Sequence, residues 1–491
     1  MRAENFDRPS PRGTYLVTGL GRAGRAAIDA LREIPEVERV MAWDHSPDGA
    51  ARSTARGLRR VGVEVWLGGE GEEALDAVGA GATIIKSPGI ALRRPIFQQA
   101  LERDMEVFDE LELGWRLSRG PIVGVTGTNG KSTTSKLMAA VLEAAGHHTQ
   151  IVGNTEFGPP LSAVSTEGWL VCEVSSFQLE ATPTFLPEVG VFTNLTLEHL
   201  ARHTDMERYG AIKRSMFIRG SRSVGTAIVN IDDPFGRQLA EDVAGAGGRV
   251  LSYGWDSHAD VRVEEAVWDL LDARQRLRTP DGPVECAARL PGRYNASNVA
   301  AAFAMGHLLG LSPGSVAEAL DGIGGPPGRW EVIAGSQPFD VVVDFAHNPD
   351  GIRQLLETAR AVTDRREGAS LRAIFGPTGA HEAQKDNEIG RLARALSDHL
   401  VLTTGTLNYD ARIVRLDELR RAATSGGTLE LSLDRGEAVE RVITAAQPGD
   451  VVVLLGMGAL DRLVVDAAGT AFPFDDRQVA REALGRIGGS R

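Results

Sequence analysis

The stretch IVGVTGTNGKSTT, residues 122–134, decides the architecture. An apolar run reads as a buried strand, a glycine-rich turn follows, and TTSKLMAAVLEAAG continues with helical spacing. Backbone N–H groups of such a turn, with the helix N-terminus behind them, form a concave donor site for phosphate oxygens. In that site Gly127, Thr128, Asn129, Gly130 and Thr133 shape the loop, Lys131 adds a point charge near the terminal phosphates, and the Ser132 hydroxyl is placed to ligate Mg²⁺. The strict G-x-x-x-x-G-K-[ST] pattern fails, because position 125 is Val and the glycines fall at 124, 127 and 130. The bland alternative is a turn with a solvent-facing lysine. The strand before it and the helix after it favour ATP or GTP.

Working outward, apolar runs ending in Gly or Asp recur along the chain: TYLVTG (14–19), RVMAWD (39–44), TIIKSPG (83–89), WLVCEVSS (169–176), VGVFTNL (189–195), AIVNIDD (227–233), DVVVDFA (340–346), RAIFGPTG (372–379), HLVLTTG (399–405) and DVVVLLG (450–456). Helically spaced stretches such as RAGRAAIDALREI lie between them. Uniformly apolar strands alternating with helices predict an α/β fold with parallel sheets covered on both faces. A length of 491 residues predicts roughly three domains. Joints are expected at RLSRGPIVG (116–124) and at GIGGPPGRW (322–330), whose Gly and Pro can form neither helix nor sheet. The expected domains are 1–118, 119–327 and 328–491: a Rossmann-like domain, a central ATP-binding domain with a parallel sheet, and a second Rossmann-like domain. Residues 255–290 are more polar and read as a small excursion with short strands.

Composition narrows the function. The net charge of −13 argues against a general nucleic-acid or anionic-membrane binder, which needs a broad basic surface. Two cysteines, Cys172 and Cys286, are too few for a disulfide framework or a cysteine metal site and read as buried thiols in a reducing compartment. The start MRAENFDRPSPRG lacks an apolar targeting core, and no run approaches the about 18 apolar residues of a membrane span, so a cytoplasmic protein is expected.

A second glycine motif, GLGRAG (19–24), follows the strand at 14–19, with Asp44 about 20 residues on. Gly19, Gly21 and Gly24 with Asp44 read as a dinucleotide fingerprint, in which a helix N-terminus takes a pyrophosphate and the acid a ribose hydroxyl. The same geometry would hold a UDP-sugar diphosphate. Taken alone the motif leaves an NAD-dependent dehydrogenase open.

GTNGKSTT also resembles the ATP loop of the Mur ligase family, the ADP-forming amide ligases. Further matches follow in family order: SPGI (87–90), GN (153–154), EVSSFQLE (173–180), TNLTLEHLARHTDMERYGAIK (193–213), PGRYNASNVAAA (291–302), GRWE (328–331) and DFAHNPDG (344–351). The resemblance spans almost the whole chain. It implies ATP-driven amide formation: a donor carboxylate attacks the γ-phosphate, an acyl phosphate results, and an amine displaces phosphate. It implies two Mg²⁺ ions held by Ser132, Glu173, His199 and Lys213, the last as a carbamate made with CO₂. Read by themselves, Glu173 at a strand end could be a helix cap, His199 a satisfied core residue and Lys213 a solvated helix-surface lysine.

The resemblance further implies catalytic roles for Lys131, Lys213 and His199, and nucleotide contacts from Asn295, Asn298, Arg329 and Asp344. It implies substrate contacts from Gly19, Gly21, Gly24, Asp44, Ser87, Pro88, Gly89, Asn154, His347 and Asn348. The first two domains most resemble the glutamate-adding branch, so glutamate joined to UDP-N-acetylmuramoyl-L-alanine in peptidoglycan precursor synthesis is favoured, by a monomer with only small-molecule partners. DFAHNPDG is closer to the branch adding the third stem residue, yet a motif of the type D-N-P-R is missing at TLNY (406–409). The family's D-H-L-D-R-H stands as Glu198, His199, Leu200, Ala201, Arg202, His203, which loses one carboxylate at Ala201. These departures leave room for a paralogue with another donor and amino acid. A binding scaffold without turnover is the remaining alternative, disfavoured because Lys131, Glu173, His199 and Lys213 are all present.

Overall fold

The structure is a computed structural model that describes residues 8–164, 167–378, 382–406, 409–464 and 471–488. Leu407 and Asn408 of the TLNY segment lie outside them. The class is α/β, with a sheet in each third of the chain. Packing groups the residues into two compact units, 1–127 with 138–193 and 207–252, and 128–137 with 194–206 and 253–491.

In the first unit a five-stranded parallel sheet runs in the order Glu64–Leu67, Val37–Asp44, Gly13–Thr18, Thr83–Lys86, Glu106–Asp109. Apolar side chains cover both faces, Val17, Ile28 and Ile85 on one and Leu16, Ile84 and Phe97 on the other. The strand order reverses between Gly13–Thr18 and Thr83–Lys86, and ligands of such sheets bind in the crevice beyond the strand ends at that point. A second parallel sheet has the order Thr226–Asn230, Val189–Phe192, Ile122–Thr126, Trp169–Glu173, Thr149–Gly153. Every residue of Ile122–Thr126 and Trp169–Glu173 is buried, which explains the apolar runs that lead up to the polar strand ends Thr126 and Glu173.

Buried polar groups around the helix Glu110–Leu117 tie the first sheet to segments that flank the second. Lys86 Nζ meets Asp109 Oδ2 at 2.8 Å with both side chains fully buried, and also donates to the Phe177 carbonyl at 3.1 Å. Glu110 accepts the Ser162 N–H at 2.7 Å, and Glu112 accepts the N–H groups of Thr184 and Phe185 at 3.1 and 2.9 Å. These contacts lie beside the joint expected at 116–124, and loss of any one of them would leave a buried polar group without that partner.

In the second unit a six-stranded sheet has the order Glu331–Val332, Asp340–Asp344, Val451–Leu455, Leu371–Phe375, His399–Leu402, Thr428–Leu431, with only the first strand antiparallel. The polar excursion forms an antiparallel ribbon of Val261–Trp268, Ala273–Thr279 and Gly282–Ala288. Residues 322–330 contain neither helix nor strand, as their Gly and Pro predict. Among the described residues no helix is long and apolar enough to cross a membrane.

Candidate active site

In the first unit the turn after Gly13–Thr18 is built by glycine for three different reasons. Gly19 has φ +87°, and a Cβ there would sit 2.8 Å from Ser87 Oγ. A Cβ on Gly24 would sit 1.8 Å from the Gly19 carbonyl oxygen, so helix Arg22–Arg32 packs on the turn only with glycine there. At Gly21, the N-cap, a Cβ would meet nothing within 4 Å. Protein packing does not demand glycine at 21, whereas a diphosphate approaching the helix N-terminus would.

Asp44 closes the turn from the neighbouring strand. Its two oxygens accept the N–H groups of Leu20 and Ser46 at 2.7 and 2.8 Å, so it organises the backbone of the cleft. Ser87, Pro88 and Gly89 follow the adjacent strand Thr83–Lys86 at the reversal point, with the Ser87 N–H on the Thr18 carbonyl at 3.2 Å. Arg22 reaches from this turn to the Thr155 carbonyl at 3.1 Å. That carbonyl follows the exposed Asn154, whose N–H donates to the Glu173 carbonyl at 2.8 Å.

Glu173, 4% exposed, ends the strand Trp169–Glu173 in register with Val125, beside the strand that leads into the phosphate loop. Lys213 is 1% exposed, and its Nζ donates to the Gly127 carbonyl at 2.7 Å and lies 4.6 Å from the centre of the Tyr209 ring. It is not the solvated surface lysine that its helix alone would allow.

In the second unit the loop turns at Gly130, whose φ is +84° and whose Cβ would lie 2.8 Å from Asn298 Oδ1. Lys131 opens the helix Lys131–Ala144 and folds its ammonium onto the Thr128 carbonyl at 2.8 Å. Thr128 and Thr133 are buried, while Asn129, Lys131 and Ser132 are partly open. Asn298 accepts from Thr134 Oγ1 at 3.2 Å and donates to Asn295 Oδ1 at 3.1 Å, and Asn295 donates to the Pro291 carbonyl at 2.8 Å. The two amides thereby fix helix Arg293–Leu308 against the phosphate-loop helix.

Asp344, at the end of the strand Asp340–Asp344, accepts the N–H groups of Trp330 and Ala346 at 2.7 Å each. Burial raises its pKa, opposed by the Arg329 guanidinium, which stacks over the Phe345 ring at 4.4 Å. Asn348 caps helix Pro349–Thr363 by accepting the Gly351 N–H at 2.8 Å and donates to Asn129 Oδ1 at 2.8 Å.

His199 has φ +61°, a left-handed conformation costly for a residue with a side chain, and its imidazole is 38% exposed. Beside it Glu198 is buried and meets Lys385 Nζ at 2.5 Å, with the second carboxylate oxygen 3.9 Å from His347 Nε2. The Nδ1–H of His347 donates to the Phe345 carbonyl at 2.8 Å. Burial pushes the His347 imidazole down to about 4, so near neutral pH it is uncharged and Lys385 balances Glu198. The Leu200 and Ala201 N–H groups both donate to Glu382 at 3.3 Å, so a carboxylate from elsewhere in the chain stands by Ala201, where the family pattern carries its own. Lys385, Glu382 and Asp350 are the residues that sequence reading overlooked. Only Asp350 lay inside a recognised motif, DFAHNPDG.

The donor chemistry fits a nucleotide-borne Mg²⁺. Among the described residues no three His, Cys, Asp or Glu side chains converge as a metal cage. Magnesium at phosphate-transfer sites uses one or two carboxylates plus substrate phosphates; Glu173 in the first unit and the Ser132 hydroxyl in the second are each an oxygen donor that Mg²⁺ accepts.

Comparison with known proteins gives the family. Residues 125–306 match the Mur ligase middle domain, and residues 328–458 match the family domain described as Mur ligase, glutamate ligase domain. The UDP-N-acetylmuramoyl-L-alanyl-D-glutamate–2,6-diaminopimelate ligase of Gloeobacter violaceus is 34% identical over 389 residues, 74% of this chain and 77% of that protein. Its namesake from Streptomyces coelicolor is 31% identical over 398 residues, 75% and 76% of the two chains. A UDP-N-acetylmuramate–alanine ligase structure from Thermotoga maritima shares the fold with a TM-score of 0.61 at 20% identity, covering 97% of this chain and all of that one. The chain belongs to the Mur ligase family and is an ATP-dependent amide ligase.

Proposed function

We propose that the chain joins an amino acid to the carboxylate of a UDP-N-acetylmuramoyl precursor, with ATP bound at residues 127–133 and ADP as a product. The observation that carries the donor half is Gly21, an open glycine at a helix N-terminus in the crevice where the strand order reverses. In this reading Lys131 and the loop N–H groups stabilise the transferring phosphoryl group. Glu173, His199 and Lys213, the last carrying a carbamate, hold two Mg²⁺ together with Ser132, and the metals supply charge neutralisation on the phosphates. The burial of Lys213 supports the carbamate in one respect, since burial favours the neutral amine, the form that reacts with CO₂. Asn295, Asn298, Arg329 and Asp344 arrange the nucleotide side, and His347 and Asn348 stand toward the substrates. The enzyme works as a cytoplasmic monomer with domain limits near 118 and 327.

Glutamate is the acceptor expected from the first domain, whereas the diaminopimelate ligases resembled over three quarters of the chain favour a diamino acid. The missing D-N-P-R element supports a third reading, a paralogue with a rebuilt acceptor pocket. A matrix of ADP-release assays separates them, pairing UDP-N-acetylmuramoyl-L-alanine and its D-glutamyl extension with glutamate, diaminopimelate and other amino acids. Product masses identify the pair. ADP release with other carboxylates but neither UDP donor would sink the peptidoglycan reading.

A further inference from the structure

In the second unit the first turn of helix Pro349–Thr363 reaches the phosphate loop. Nδ2 of Asn129 donates to Asp350 Oδ2 at 3.0 Å and to Asn348 Oδ1 at 3.2 Å, while Asn348 Nδ2 donates back to Asn129 Oδ1 at 2.8 Å. Only one orientation of the Asn129 amide satisfies all three contacts. The Asp350 side chain is 16% exposed, also accepts from Gln354 Nε2 at 2.8 Å, has the half-exposed Arg353 guanidinium 3.8 Å from its other oxygen, and lies in the first turn of its helix, where the dipole favours a negative charge. A carboxylate beside a loop built for phosphates carries a Coulombic cost. The loop backbone does not need it for folding. The Asn129 N–H donates to Asn194 Oδ1 at 2.9 Å, the Thr128 N–H to the Asn194 carbonyl at 2.8 Å, and the Thr196 N–H to Thr128 Oγ1 at 3.0 Å.

We propose that Asp350 is a positioning residue for phosphoryl transfer: it fixes the side-chain amide of Asn129, so the phosphate loop takes its reactive form only with helix Pro349–Thr363 seated on it. This rests on the placement of ATP at residues 127–133. Because the loop backbone is anchored independently, the effect falls on turnover and leaves nucleotide affinity and folding largely intact.

The test is steady-state ADP release with ATP titrated. Asp350→Ala lowers kcat by about tenfold to a hundredfold while the KM for ATP stays within about threefold. Asp350→Asn, which keeps an oxygen acceptor for Asn129, recovers most of the turnover. In a double-mutant cycle Asn129→Ala and Asn129→Ala/Asp350→Ala are equally impaired, because Asp350 acts through the Asn129 amide that both variants lack. Wild-type kcat in Asp350→Ala, equal loss in Asp350→Asn, or additive losses in the double variant would each overturn the proposal. Lys131→Ala, run in parallel, separates the two levels. If it is inactive while Asp350→Ala turns over normally, only the Asp350 role falls; if folded Lys131→Ala turns over normally, the ATP placement falls and this role with it.

Discussion

Lys385 Nζ stands 2.5 Å from Glu198 Oε1, with both side chains buried and 187 positions apart in the chain. Burial opposes ionisation of Glu198, and His347, Lys385 and His199 overcome it, holding the carboxyl at about 2. Breaking one side of such a pair strands a buried charge at a cost of about 3–5 kcal/mol. Lys385→Met is therefore expected to lower the melting temperature by several degrees, and Lys385→Met/Glu198→Gln to regain most of it. Calorimetry of the two variants checks this, and equal melting of single and double variants would contradict it.

Lys213→Ala removes a buried side chain at the Gly127 carbonyl and, in the proposed mechanism, the carbamate anion. Its ADP release is expected to fall by orders of magnitude. Short carboxylic acids in solution should restore part of it by supplying the missing anion. Rescue by carboxylates but not by short amines is the informative contrast, and rescue by amines alone would show that the ammonium is the working form.

Gly21→Val places a branched side chain at an open N-cap, so no protein contact is lost. Thermal stability without ligand should stay near wild type. A UDP-N-acetylmuramoyl donor at a hundredfold excess over Kd stabilises a folded state by about 2.7 kcal/mol, and this melting shift should vanish in the variant. A shift produced by NAD instead would transfer the cleft to a dinucleotide.

Glu110 ionises only at about 7 in the folded protein, against an ordinary value of 4.5, because burial outweighs the hydrogen bonds from Ser162. The folded state keeps a proton that the unfolded chain has lost. Stability is thus greatest below the unfolded value and falls as pH rises through about 7, by on the order of 3 kcal/mol in total. Glu110→Gln retains an acceptor for the Ser162 N–H and has no proton to lose. Its melting temperature should decline less than that of wild type between pH 5 and 8 in parallel scans.

Sequence by itself determined the α/β class, because central strands buried on both faces read as near-continuous apolar runs, as in Val451–Leu455 and in Ile122–Val125 before the buried Thr126. It determined the phosphate turn too, since Gly130 answers a local demand of backbone geometry that leaves a mark at a fixed place in the chain. Strands at the sheet edges escaped it: Thr428–Leu431 and Glu64–Leu67 are partly exposed and carry mixed residues that no periodicity distinguishes from loop. Tertiary structure alone decided that Asp109 holds Lys86, that Lys86, Glu110 and Glu112 tie the first sheet to segments flanking the second, that Lys385 balances Glu198, and that Asp350 reaches Asn129. Those contacts join residues from 23 to 221 positions apart. Charge pairing acts through a few ångströms of space whatever the sequence separation, and a single acidic residue in a helix or loop looks the same in the chain whether it meets solvent or a buried partner.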